Sequence, residues 1–222
     1  MSCVDDELEA AKEGAWREVA AIEAAYARGE LDDEGWHAAV SALVVPAYLA
    51  AETPEGGSGS SRDTAGWERA RSQLAEAVEP GQTFLDVGCA NGHLLESMVR
   101  WAGVEPYGLE ISRELAELAR RRLPQWADRI WVGNAIDWKP PQSFDVVRTG
   151  IDYVPIPRRR QLVEHLLAYS RRLVVGVFNE ERDARSLEDE VSGWGFTISG
   201  HRERPHPHPR LAYRVFWIDA CR

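Results

Sequence analysis

Two carboxylates flank a loop of small residues. "LDVGCANG" carries Asp86, Gly88, Ala90 and Gly92, and "YGLE" brings Glu110, 22 residues after Gly88. Small residues let a backbone approach a ligand closely, and the N–H groups that open the next helix attract polar or anionic groups. The nicotinamide and flavin fingerprint, G-x-G-x-x-G, places its third glycine one position later than Gly92. A carboxylate at Asp86 would repel a pyrophosphate and suits a cationic amine. Glu110 can accept both hydroxyls of a ribose. An acid for an amine and an acid for a ribose, around a tight loop, fit an amino-acid nucleoside better than a dinucleotide. The chain has no G-K-[ST], so the Walker phosphate loop is absent.

Residues that could move a proton lie elsewhere. Asp152 and Tyr153 stand in "GIDYVP", and His206 and His208 in "RPHPHPR". A histidine can act as a base near neutral pH. Each also has a plain structural reading: Asp152 fixes a turn, Tyr153 packs, and the histidines belong to an exposed loop. Cys89 reads as a small residue in a tight turn rather than a nucleophile. Cys3, Cys89 and Cys221 are too scattered for a disulfide framework or a zinc site, so no metal is expected.

The elements that must position these residues follow from periodicity. Residues 4–28 repeat apolar side chains at helical spacing, and Gly29 is placed to cap that helix. Asp32 can cap a second helix, whose apolar positions are Trp36, Val40, Leu43, Val44 and Tyr48; Pro46 should kink or end it. "TPEGGSGSS" reads as a flexible loop. A third helix presents Trp67, Ala70, Leu74 and Val78 on one face. From Phe84 onward strands and helices alternate, which implies a parallel sheet with helices on both faces. The last two strands have no helix between them, which allows an antiparallel return. The expected division is an N-terminal helical cap over 1–52, a flexible loop over 53–62, and an α/β domain over 63–222.

Composition narrows the function. The 222 residues are 44% hydrophobic and 28% charged, ordinary for a soluble globular chain. No apolar run approaches the ~20 residues of a membrane helix, and the acidic N-terminus is unlike a signal peptide. A cytoplasmic protein without membrane contact is expected. A net charge of −10 argues against nucleic acid as a partner. The absence of N-P-P-[YF] and of a Pro-Cys pair argues the same way.

Taken together, "LDVGCANG", "YGLEIS", "VGNAIDW" and "FDVVRTGIDYVP" resemble the class I S-adenosylmethionine-dependent methyltransferases, over roughly residues 63–220. The resemblance implies a Rossmann-like sheet of seven strands, the last antiparallel, below an N-terminal helical extension. It implies S-adenosylmethionine as cofactor. Asp86 would face the methionine amino end, and the backbone of Gly88, Cys89 and Gly92 would pass the methionine moiety. Glu110 would hold the ribose, Ile111 would pack on the adenine, and Asn134 and Ala135 would meet its edge. Thr149 and Gly150 would lie beside the methionine part. Two positions depart from the family pattern: Ala90 replaces its middle glycine, and Asn134 its common aspartate. The expected activity is methyl transfer to a small molecule. The alternatives are a nicotinamide-dependent oxidoreductase and an inactive cofactor-binding protein that works through partners. The N-terminal helices would form a substrate lid or, alternatively, a homodimer interface. The acceptor, and whether O, N, C or S is methylated, is not written in these motifs.

Overall fold

Alternation within single strands decides which residues reach each face of the sheet. In β1 (Thr83–Val87), Phe84 points to one face and Leu85 and Val87 to the other, and all three are buried. The same split recurs in β4 (Phe144–Thr149), with Val146 on the Phe84 side and Val147 on the Leu85 side. Two hydrophobic layers result. One packs Phe84, Val146 and Val174 under Trp67, Leu95 and Met98; the other packs Leu85, Val147 and Leu173 against Leu162, Val163 and Val191. Each fully buried aliphatic or aromatic side chain contributes about 1.5–3 kcal/mol. Such burial on both faces is what a parallel sheet requires.

The computed structural model describes residues 14–57, 64–182 and 186–220. The start of the expected first helix, Cys3, Cys221 and the loop residues from 58 on lie outside them. The sheet has seven strands in the order β3-β2-β1-β4-β5-β7-β6. The remaining strands are β2 (Glu105–Glu110), β3 (Ile130–Val132), β5 (Ser170–Glu181), β6 (Gly200–Pro205) and β7 (Leu211–Asp219). β1 pairs in parallel with both β2 and β4, so the strand order reverses about β1. β7 runs antiparallel between β5 and β6. The Rossmann-like fold with an antiparallel final strand is therefore as the motifs implied. Among the described residues no helix is long and apolar enough to cross a membrane.

The helices are α1 (Gly14–Ala27), α2 (Asp33–Ala50), α3 (Thr64–Arg71), α4 (His93–Ala102), α5 (Arg113–Arg122), α6 (Arg159–Leu167) and α7 (Leu187–Gly193). Asp32 caps α2 by accepting from the Gly35 N–H at 2.8 Å, and Ser112 caps α5 by accepting from Leu115. Of the two outcomes expected at Pro46, a kink or an end, the end does not occur: α2 runs through Pro46 to Ala50. Proline removes the donor to the Ala42 carbonyl, but both residues are exposed, so water can serve that oxygen. The third helix is also shorter than its apolar spacing suggests. After Arg71 it tightens into a 3-10 segment, Ser72–Ala77, which buries Leu74 and Ala77.

The loop after β1 uses left-handed backbone at alternate residues: Gly88 at φ 75°, Ala90 at 46° and Gly92 at 77°. Gly92 has a second constraint, because a Cβ there would lie 2.7 Å from Leu123 Cδ1. Gly81 has φ 80° and open space around it. Gly81→Ala should cost the backbone penalty alone, about 1–2 kcal/mol. Gly92→Ala should cost about 1–3 kcal/mol more, from overpacking. Urea unfolding of the two variants checks the difference; equal costs would mean that the Leu123 contact does not constrain the loop.

Candidate functional site

Beyond the carboxyl ends of β1 and β2, where the strand order reverses, lies a cavity of about 180 Å³. This is where open α/β sheets place their ligands. Its floor is sheet and loop: Val87, Gly88, Ala90, Leu109, Glu110, Ile111, Gly133, Asn134 and Ala135. Its roof is α2, through Trp36, His37, Val40, Ser41, Val44, Val45 and Tyr48. A wider cleft of about 410 Å³ shares His37, Ser41, Ile111 and Asn134 with it, and so continues it toward the surface.

Glu110 ties the floor together. Its two carboxylate oxygens accept separately, one from the Ala90 N–H at 2.8 Å and one from the Ser112 N–H at 2.9 Å. The loop after β1 is thus fastened to the end of β2. Backbone bonds from Gly88 and Cys89 to the Leu109 carbonyl add to this, at 2.8 and 3.1 Å. Burial raises the Glu110 pKa; the Ser112, Ala90 and Ile111 N–H groups pull against that rise, and Asp86 adds to it.

Asp86 is turned away from the cavity. It is 1% exposed, and its Oδ1 accepts from Arg148 Nη1 at 3.1 Å. The register makes this contact: Asp86 and Arg148 are Cα partners on adjacent strands, so their side chains share a face. Asp86, expected to face a methionine amino group directly or through water, thus has Arg148 as its partner in the structure. Nη1 of Arg148 also donates to the Tyr153 hydroxyl at 3.1 Å. Burial disfavours charge on this guanidinium, yet Tyr153 and Asp86 outweigh it and raise its pKa above the ordinary value. For Asp86, burial raises the pKa against the pull of Arg148. The Tyr153 ring packs on the loop; a Cβ at Gly88 would meet its Cε2 at 2.6 Å. Burial also raises the Tyr48 and Tyr153 pKa values, so both hydroxyls stay protonated at neutral pH. Arg71 joins the same group: burial lowers its pKa to about 10, and Tyr48 and Arg148 are its largest electrostatic neighbours.

The candidate residues thus divide. Gly88, Glu110, Ile111, Asn134, Ala135 and Tyr153 line the cavity. Asp86, Cys89, Gly92, Thr149 and Gly150 are not among the residues that line it. Cys89 is buried and its thiol is pushed up by burial. Thr149 is buried with its hydroxyl donating to the Gly150 carbonyl. Asp152 is exposed. His206 and His208 spend their Nδ1 atoms within their own turn, accepting from the His208 and Arg210 N–H groups. Sequence reasoning missed Arg148, although a charged residue inside the apolar strand "FDVVRT" was a signal. It also missed His37, which no motif marks.

The family profile described as "Methyltransferase domain" matches residues 84–172. That stretch of the chain is similar to a methyltransferase domain. The chain is 31% identical over 111 residues to trans-aconitate 2-methyltransferase of Rhodopseudomonas palustris (strain HaA2), covering 49% of this chain and 40% of that one. It is 27% identical over 145 residues to ribosomal protein L11 methyltransferase of Paraburkholderia xenovorans (strain LB400), covering 60% and 47%. The chain therefore spans less than half the length of these curated relatives. The fold is similar to that of the N-methyltransferase NodS from Bradyrhizobium japonicum, with TM-score 0.59 and 12% identity over 82% of this chain and 98% of that one. It is also similar to magnesium protoporphyrin IX methyltransferase from Synechocystis, with TM-score 0.57 and 15% identity over 86% and 98%. Those two structures hold S-adenosylhomocysteine and S-adenosylmethionine, respectively.

Within this stretch the buried Asp86–Arg148 pair is a structural tie. Removing one partner of a buried pair strands the other, at about 3–5 kcal/mol. Asp86→Leu and Arg148→Met should each cost about that much in urea unfolding at pH 7. The double variant should cost clearly less than their sum. Strict additivity would show that the two charges do not act as a pair.

Proposed function

We propose that the protein transfers a methyl group from S-adenosylmethionine to a small-molecule acceptor, in the cavity beneath α2. The observation that carries this reading is the meeting of the Gly88 loop and the Glu110 carboxylate under a roof of apolar side chains. The residues fit the cofactor. Each Glu110 oxygen uses one lone pair on a backbone N–H and keeps another for a ribose hydroxyl. Ile111 offers an apolar face to the adenine, with Asn134 and Ala135 at its edge. The Gly88 backbone borders the methionine end, beside the Tyr153 ring. Asp86 contributes from behind the wall, by holding Arg148 and through it the Tyr153 hydroxyl. Thr149 and Gly150 close the end of β4 next to that group.

When bound, S-adenosylmethionine supplies a sulfonium methyl already activated for in-line displacement. What remains for the protein is alignment and exclusion of water. α2 serves both: Trp36, Val40, Val44 and Val45 cover the cavity with apolar surface. Tyr48 and Tyr153 remain protonated and act as hydrogen-bond donors rather than bases. This suits an acceptor that is nucleophilic at neutral pH without losing a proton to them. The closed roof favours a small molecule, the kind of acceptor named for the trans-aconitate methyltransferase. The name of the ribosomal-protein relative points to a protein acceptor instead, which the roof does not favour.

Calorimetry with S-adenosylhomocysteine and with NAD tests the reading. Heat with the former and none with the latter is expected; the reverse would favour an oxidoreductase. Glu110→Ala should weaken S-adenosylhomocysteine binding by about 1–3 kcal/mol. The ionised carboxylate is the acceptor for the ribose, and the Glu110 pKa is raised. Affinity should therefore be full above that raised value and fall as pH drops through it, at a pH higher than an ordinary glutamate would give. Glu110→Gln should remove this step; a step that persists would move the titration to another group.

A further inference from the structure

His37 is 8% exposed, on the second turn of α2, and no motif accounts for it. Its Nδ1 lies 2.7 Å from the Asp33 carbonyl oxygen. A carbonyl has no hydrogen to give, so Nδ1 carries the proton. In the neutral ring Nε2 is then a hydrogen-bond acceptor. Nε2 has no hydrogen-bond partner among the described residues, and His37 lines both the cavity and the cleft that continues it.

Asn134 lines the same two spaces from the opposite side. Its Oδ1 accepts from the Ile136 N–H at 3.1 Å. A backbone donor identifies that atom as oxygen, so the amide presents its NH₂ group as the free function. The family's aspartate at this position would offer only acceptors, whereas here the third motif spends its acceptor on its own backbone.

The slot beside Ile111 therefore offers one acceptor from the roof and one donor from the floor. A 6-aminopurine edge is the complement: an exocyclic NH₂ donor next to a ring-nitrogen acceptor. A 6-oxopurine presents the reverse. We propose that His37 Nε2 accepts from the adenine amine and Asn134 Nδ2 donates to the neighbouring ring nitrogen. The cofactor base then bridges α2 to the sheet, and the roof itself selects adenine. Ser41, one turn after His37 and lining the same two spaces, is the nearest other hydroxyl on α2. The proposal rests on the S-adenosylmethionine reading.

Binding of three ligands by calorimetry tests it: S-adenosylhomocysteine, its 6-deamino purine analogue and S-inosylhomocysteine. The unaltered protein should prefer the first over each of the others by about tenfold, the scale of one hydrogen bond. His37→Phe should bring the deamino analogue to within about twofold of S-adenosylhomocysteine, and His37→Gln, which restores an acceptor, should recover the preference. Asn134→Asp, which removes the donor, should shift the balance toward S-inosylhomocysteine, whose N1 carries a hydrogen. If His37→Phe keeps the full preference, or if Asn134→Asp leaves the ratio unchanged, the proposal is overturned. No binding of S-adenosylhomocysteine to the unaltered protein would instead overturn the cofactor reading beneath it.

Discussion

The carboxylate of Glu110 is the constraint on which the site depends. It is buried, its pKa is raised, and it fastens two loops that meet at the strand-order reversal. Without it, the Ala90 and Ser112 N–H groups would lose their acceptor at the cavity floor. A buried carboxylate is costly unless it is hydrogen-bonded. Here the backbone of its own neighbourhood meets that need and leaves lone pairs on the cavity side. The same group thus holds the loop in shape and can also accept from a ligand. Pre-ordering of this kind reduces what binding must spend on conformation.

The roof is attached by a second set of polar contacts. Asn91, in the loop after β1, donates to the Pro54 carbonyl at 2.7 Å, just beyond the end of α2. Arg122 at the end of α5 donates to the Asn91 carbonyl at 2.6 Å. Glu55 accepts from Thr64 and approaches His93, whose ring lies 4.1 Å from the Trp67 ring. Burial and the nearby Arg122 lower the His93 pKa, so this ring is neutral near pH 7. At its other end α2 is tied to the sheet domain by Asp33, paired with Arg158 at 2.9 Å. The helix that covers the cavity is thus anchored at both ends to elements that surround the cavity. Changes in the glycine loop can be felt by the roof, and the reverse.

Much of this was legible in the sequence. Alternating strands and amphipathic helices specified the layers, because each element has one hydrophobic pattern to bury. The loop spacing and Glu110 marked the cofactor, since few ligands need those groups at that separation. Three things were not legible. The Asp86 partner depends on register between strands far apart in sequence, and only pairing puts Arg148 beside it. The course of α2 through Pro46 depends on which face of the helix meets solvent. The role proposed for His37 depends on a single hydrogen bond that fixes its tautomer, and nothing in "EGWHAA" announces it. Pattern reports what must be buried, whereas the direction of a polar atom is set by tertiary contacts.

We propose that S-adenosylmethionine binds between the β1–β2 floor and the α2 roof. Amide hydrogen exchange with and without S-adenosylhomocysteine tests it directly, because α2 and the floor are separate stretches of chain. Slower exchange is expected in residues 33–50 together with residues 88–92 and 110–115. Binding that slows the floor while leaving 33–50 unchanged would contradict it, for the roof would then have no part in holding the cofactor.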